Sequence, residues 1–373
     1  MNFMINYNVQ NKQAVRQLLD NLFSELPSRE KDVLIRRNQL LQELSKKETL
    51  KEIGDEYNIT RERVRQIENE GVKKLLKALE SEKDLLKLIS DDVSVYLDRN
   101  GGAVLEDHLI ENFVEQLDLQ DYNQNAVLFI LDQLVDIVEK NSENSDFYSH
   151  WVKANLDTDH IMELVESLAS YLDEKKKPHS SEDIMSFLTS HDLVKSKMNH
   201  YDSFLQSHDD LELSNLLQNY LNLSKKVNKN ILDQWGLSNW PEIRPKKLSD
   251  KIFLIFQNYK KPLHFTNVAD QINEAGFDKK KICAATVHNE LIANKDYTLV
   301  GRGIYALKDW GYEKGTVADV IEKILTESGP MEKDAIYEQV LKQRVVNKST
   351  IYLSLINKEK FIKVENGKFG LKA

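Results

Sequence analysis

Between residues 49 and 71 the apolar positions recur at helical spacing in two short registers, Leu50, Ile53 and Tyr57 on one face and Val64, Ile67 and Gly71 on another. Thr49 stands three residues before Glu52, the spacing of a reciprocal cap, and predicts a helix from Leu50. Asn58 suits a left-handed turn, and Thr60 is a good N-cap for a second helix from Arg61. Gly54 lies inside the first helix at a cost of about 1 kcal/mol relative to Ala. Such a glycine is expected where a second helix comes close. Upstream, Leu26-Pro27-Ser28 reads as a helix start with Val33 and Leu34 facing inward. Downstream, Leu75, Leu76 and Leu79 extend the apolar stripe while Lys73, Lys74 and Lys77 stay outside. Residues 1–19 hold few apolar anchors and are expected to form an extended tip or a short helix.

From residue 82 onward the pattern repeats. Four times a helix ends in a short turn followed by a small or proline residue, with an aliphatic six positions later: Ala103 with Leu109, Pro178 with Ile184, Pro262 with Val268, Pro330 with Ile336. In the last two copies, residues 300–307 and 364–371 align with valine, glycine, aromatic and leucine at offsets 0, 3, 5 and 7. Alternating apolar residues around Gly-Arg-Gly or Asn-Gly predict β-hairpins. Three helices and a hairpin make a winged helix. Phe147–Val152 reads as a worn hairpin in the first copy, 230–237 as a less regular one in the second, and 240–245 as a rigid Trp/Pro bridge. The expected fold is mainly α: a helix-turn-helix over 1–81, acidic winged-helix-like units over 82–156 and 157–245, and winged helices over 246–313 and 314–373.

Composition places the chain among globular proteins, with 41% hydrophobic and 30% charged residues in 373. No apolar run approaches the length of a membrane span and no secretory signal is visible, so a cytoplasmic protein is expected. The net charge of −9 is unevenly spread: +2 over residues 1–80, −17 over 81–240 and +6 over 241–373. Phosphates are repelled by the middle and tolerated at both ends. Cys283, the single cysteine, excludes an internal disulfide and reads as a core residue. No phosphate loop, nucleophile elbow or metal-spaced His/Cys cluster is present, so neither a metal, a cofactor nor an enzyme is expected. His264 and His288 are the one histidine pair worth weighing as ligands, against the commoner structural role. The tryptophans Trp151, Trp235, Trp240 and Trp310 lie near unit ends, where packing between domains is expected.

The polar face of the second helix carries the candidate chemistry. Glu62, Arg65, Gln66 and Asn69 point away from the apolar side, with Arg61 and Arg63 flanking them. A major groove admits a helix, and arginine, glutamine and glutamate are side chains that pair with base edges. An ordinary solvated helix is the alternative. Leu26-Pro27-Ser28-Arg29-Glu30 followed by 60–68, Thr-Arg-Glu-Arg-Val-Arg-Gln-Ile-Glu, resembles the fourth, promoter-recognising region of housekeeping-type bacterial sigma factors. That resemblance covers about residues 20–80. It implies that Arg61, Glu62 and Gln66 read bases of an upstream promoter element while Thr60, Arg63, Arg65 and Lys73 hold the backbone. The helical wheel alone ranks Arg65 above Arg61. Two departures stand out: 38–47 lacks a glycine-containing turn, and Gly71 replaces a good helix former.

Residues 261–265, 285–290 and 300–307 together resemble the HARE-type winged helix, the module that forms the folded part of the polymerase delta subunit. Arg302, at the expected wing tip, is the first candidate there for contact with nucleic acid. Together the resemblances imply a sigma-like transcription factor that binds double-stranded promoter DNA and bacterial RNA polymerase in the nucleoid, with no membrane partner. The rivals are a delta-like polymerase accessory protein acting through protein contacts and a targeting subunit of a restriction or modification system. With Phe3 and Tyr7 the sole aromatics before Leu22, strand capture is expected to fall to another factor.

Overall fold

In the computed structural model the described residues are 9–206, 208, 210–278, 280–357, 359–364 and 367–372. Phe3 and Tyr7 lie outside them. The chain opens with α1 (Ala14–Ser24), α2 (Ser28–Asn38), α3 (Leu50–Tyr57) and α4 (Arg61–Ala78). Helix α1 is the short helix of the two expected alternatives, and it is better anchored than expected: Val15, Leu18, Leu19, Leu22 and Phe23 are all buried. Successive turns of one face supply these five anchors, two of which, Leu22 and Phe23, lie beyond residue 19.

Four repeats of one pattern follow. The first is α5 (Lys83–Arg99), β1 (Ala103–Leu105), α6 (Glu106–Asn112), α7 (Gln124–Gln133), β2 (Val138–Asn141) and β3 (His150–Lys153). The second is α8 (Thr158–Lys175), β4 (His179–Ser180), α9 (Ser181–Ser190), the short α10 (Asp192–Ser196) and α11 (Met198–Leu205), then α12 (Leu213–Leu223), β5 (Val227–Lys229) and β6 (Gln234–Leu237). The third is α13 (Leu248–Tyr259), β7 (Leu263–His264), α14 (Phe265–Glu274), α15 (Ala284–Ala293), β8 (Tyr297–Gly301) and β9 (Ile304–Leu307). The last is α16 (Val317–Ser328), α17 (Lys333–Gln343), α18 (Lys348–Leu355), β10 (Phe361–Lys363) and β11 (Phe369–Leu371). The strand order β1-β3-β2 recurs as β4-β6-β5 and β7-β9-β8, and in the last copy the Met331–Phe369 bridge stands for the first strand. The fold is thus mainly helical with small antiparallel sheets, as a helix-turn-helix followed by winged-helix units requires. Leu109, Ile184, Val268 and Ile336, the four repeat aliphatics, are fully buried. In the first copy the hairpin is 138–153 and not 147–152, because β2 supplies the partner strand for Trp151 and Val152.

By contacts the chain divides into Met1–Asn228 with Gly236–Ser238, and Lys229–Trp235 with Asn239–Ala373. Within the first unit one hydrophobic cluster runs without a break from Val9 and the α1 anchors through Leu34, Leu40, Leu75 and Ile89 to Ile130 and Trp151. The core therefore does not stop at residue 81. Trp151 packs inside its own repeat, its Nε1 donating to Glu106 at 3.0 Å, which corrects the expectation of packing between domains. In the second unit the third and fourth repeats each have a core of their own. Among the described residues no helix is long and apolar enough to cross a membrane.

Candidate nucleic-acid interface

Local chemistry fixes α3 and α4. The Thr49 hydroxyl accepts from the Glu52 amide at 3.2 Å while the Glu52 carboxylate accepts from the Thr49 amide at 2.7 Å, closing both free donors of the first turn. A hydrogen bond from Lys46, with those from Thr49, holds the Glu52 carboxyl down at about 2. Asn58 is left-handed at φ 53°, and the Ile59 amide reaches back to the Gly54 carbonyl at 2.9 Å. Gly54 is needed for this turn: a Cβ there would lie 2.8 Å from the Ile59 carbonyl oxygen. The close approach comes from the backbone leading into α4, not from side chains of a second helix. Thr60 then caps α4, accepting from the Arg63 amide at 3.2 Å.

Val33, Ile53, Val64 and Ile67 form a small separate core that joins α2, α3 and α4. Two arginines at the end of α2 brace it from outside, and sequence reasoning missed both. Arg36 donates to Glu48 and Glu56 and pairs with Asp32, a set that raises its pKa, the bond to Glu48 most. Arg37 donates to the Glu48 carbonyl at 2.6 Å and pairs with Glu68 of α4 at 3.3 Å. Asp32 also accepts from the Tyr57 hydroxyl at 2.7 Å. Apart from Asp32, four residues before Arg36, the partners of these two arginines lie 11 to 31 residues away, beyond the range of a helical wheel.

With α4 so held, Thr60, Arg61, Glu62, Arg63, Arg65, Gln66 and Lys73 are all exposed. Glu62 and Arg65 form a two-pronged pair at 2.6 and 3.0 Å. Arg63 donates to Gln66 at 3.0 Å and lies 3.6 Å from Glu70. Among the described residues Arg61 makes no side-chain hydrogen bond or ion pair, although its charge, after the Arg65 bond, helps to hold the Glu62 carboxyl below its ordinary value.

Residues 22–77 match the family model described as Sigma-70, region 4. These residues are a sigma-70 region 4 domain. Relatives over this stretch include the RNA polymerase sigma factor RpoD of Helicobacter pylori (strain ATCC 700392 / 26695), 44% identical over 64 residues, which are 17% of this chain and 9% of that protein. The RNA polymerase sigma factor SigA of Microcystis aeruginosa is likewise 44% identical over 64 residues, 15% of its length. For SigA1 of Synechococcus elongatus (strain ATCC 33912 / PCC 7942 / FACHB-805) the share is 16%. The chain thus spans about a tenth to a sixth of the length of these curated relatives. No solved structure matches it.

The two departures from the sigma pattern have physical causes, one inside the region 4 domain and one in its contact with the next repeat. Gly71 faces Leu34, and a Cβ would come 2.9 Å from its Cδ1, so α4 crosses α2 at short range. The stretch after α2 turns on Gln39, left-handed at φ 52°, and is then held by the next repeat. Leu41 bridges Tyr122, and Asn123 Nδ2 donates to the carbonyls of Gln39 and Leu41 at 2.8 and 3.0 Å. Leu76, expected in the apolar stripe, is 45% exposed, because α4 by then has turned that side to solvent.

Elsewhere the candidates separate. Arg302 is exposed between β8 and β9, where Gly303 takes φ 68°. The Phe265 ring packs against both His264 and His288, at 4.5 and 4.3 Å between centroids, and His264 Nδ1 is engaged by Thr266. That stack argues for structural histidines. Cys283 is exposed as the N-cap of α15, correcting its reading as core; Val287 and Leu291 of that helix point inward instead. Among the described residues no cluster fit for a metal ion occurs.

Proposed function

We propose that this protein is a sigma-like transcription factor that reads a promoter element through α4 and acts on bacterial RNA polymerase in transcription initiation. It works by binding, without catalysis, in the cytoplasm on the nucleoid. Arg61, Glu62 and Gln66 read base edges; Thr60, Arg63, Arg65 and Lys73 hold phosphates. The observation that carries this reading is the capped, doubly braced α4 presenting Arg61, free of hydrogen bonds and ion pairs among the described residues, beside side chains already held in register by their neighbours. A side chain with no partner to give up can enter a groove at the least cost. Glu62 and Gln66 must share or release Arg65 and Arg63 on binding, which makes the arginines free for phosphate at the moment the bases are engaged. Residues 246–313 are read as a HARE-type winged helix and 314–373 as a C-terminal winged helix.

Site selection from random duplexes by the full chain, at several salt concentrations, tests the proposal. Arg61→Ala and Glu62→Ala should each cost about 1–3 kcal/mol on the preferred site and relax one position. Arg63→Ala should weaken all sequences alike and flatten the salt dependence. Unchanged selection and affinity in the first two variants would refute the assignment.

A further inference from the structure

An open cleft of about 800 Å³ lies between the β8–β9 wing and the start of α18, wholly within the second unit. Arg344 lines it and is only 4% exposed. The guanidinium donates through Nη1 to the Leu299 carbonyl and through Nη2 to the Gly315 carbonyl. Its buried Nε has no hydrogen-bond partner, and no carboxylate is within ion-pair distance among the described residues. Burial pushes this guanidinium below its ordinary value. The nearest acids are already engaged, Asp319 by the Thr316 cap and Lys360, Glu313 by Lys323.

Other features of the wall carry the same sign. Helix α18 opens on the cleft through Asn347 and Thr350, and the Asn347 side chain makes no cap. The Thr350 amide turns back to the Asn347 carbonyl at 2.9 Å, which leaves the Lys348 and Ser349 amides without acceptors among the described residues, at the positive end of the helix dipole. Thr350 places a hydroxyl within this first turn, and Arg302 stands at the rim on the wing tip. A desolvated cation with an idle donor, an uncapped helix N-terminus and a second arginine all favour one kind of occupant.

We propose that this cleft is an anion site that takes a phosphate group, held by Arg344 from below, by the first turn of α18 from the side and by Arg302 from above. Nucleic-acid backbone and free phosphate share that chemistry. The site is independent of the reading of α4.

The test uses the full chain with ¹⁵N-labelled arginine and lysine, following the Arg344 Nε–Hε signal and the Lys348 amide. Inorganic phosphate is titrated in one arm and a duplex without the preferred α4 site in the other. A saturable shift of both signals is expected with at least one probe. A response to duplex alone assigns the backbone as the source; a response to both assigns phosphate in general. Arg302→Gln, at an exposed tip, should weaken the response about two- to fivefold, and Arg344→Lys should abolish it because the planar fork is lost. Should Arg344→Lys fail to fold, Arg302→Gln still decides. No saturable shift with either probe, or an unweakened shift in Arg302→Gln, would overturn the proposal. The base preference selected by α4 should stay the same in Arg302→Gln even where overall duplex affinity falls, so the two readings fail separately.

Discussion

Gly54→Ala is the sharpest probe of how α4 is aimed. In an isolated helix the change is favourable by about 1 kcal/mol. Here the new Cβ meets the Ile59 carbonyl oxygen at 2.8 Å, the Thr60 carbonyl carbon at 3.6 Å and the Arg61 amide nitrogen at 3.5 Å. All three atoms are backbone, so no rotamer change relieves the contact. The turn cannot slide either, because the Ile59 amide is tied to the Gly54 carbonyl. Relief requires the start of α4 to move, which belongs at the upper end of the roughly 1–3 kcal/mol that overpacking costs. Subtracting the helix gain leaves a loss of about 1–2 kcal/mol, a factor of about 5–30 in the local opening equilibrium. Tryptophan fluorescence would miss it, since Trp151, Trp235, Trp240 and Trp310 all lie beyond residue 81. Amide hydrogen exchange of peptides covering 50–78 reads it directly. Exchange in the variant that is unchanged or slower would show that the turn has room to give, and the account of Gly54 would fall.

Burial holds His160 and His200 below the ordinary histidine value of 6.5, so the folded chain disfavours their charged forms. Stability is therefore full above that value and declines as pH falls below it. Thermal unfolding between about pH 7.5 and about pH 5.5 should show the decline, shallower in a His160→Gln/His200→Gln variant; equal slopes would refute the assignment. Cys283 is exposed, and a hydrogen bond with Thr286 holds its thiol below the ordinary range. Iodoacetamide should modify the native chain at this one position, and Thr286→Val should slow the reaction severalfold; a thiol that reacts only in denaturant would contradict the structure.

The helix-turn-helix was legible because its determinants are local. Thr49, Glu52, Asn58 and Thr60 act on neighbours within three residues, and Val64 and Ile67 lie on one turn of one helix. The repeat aliphatics were legible for the same reason. What escaped depends on pairs distant in sequence: Arg36 with Glu48 and Glu56, Arg37 with Glu68, Gly71 with Leu34. Charged residues of this kind read as solvated face until their partners are known. The hairpin of the first repeat was misplaced because Val138–Asn141 holds one apolar residue at its start, too little alternation to mark a strand. Cys283 was misread because its apolar neighbours in sequence turn inward while it remains at the helix end.

The unbroken cluster from Val9 to Trp151, which the Leu41–Tyr122 bridge joins, removes the freedom of a hinge between α4 and the β1–β3 sheet. A linker would let the two find their targets in turn and tolerate any spacing between them. A shared core instead makes them one ruler, in which grasping either end sets the bearing of the other. For a duplex seated on α4, distance along the axis then becomes angle around it, because DNA turns once in about 10.5 base pairs. Anything that holds the acidic first repeat would meet the duplex on one side only, and half a turn of added DNA would carry its target to the far side.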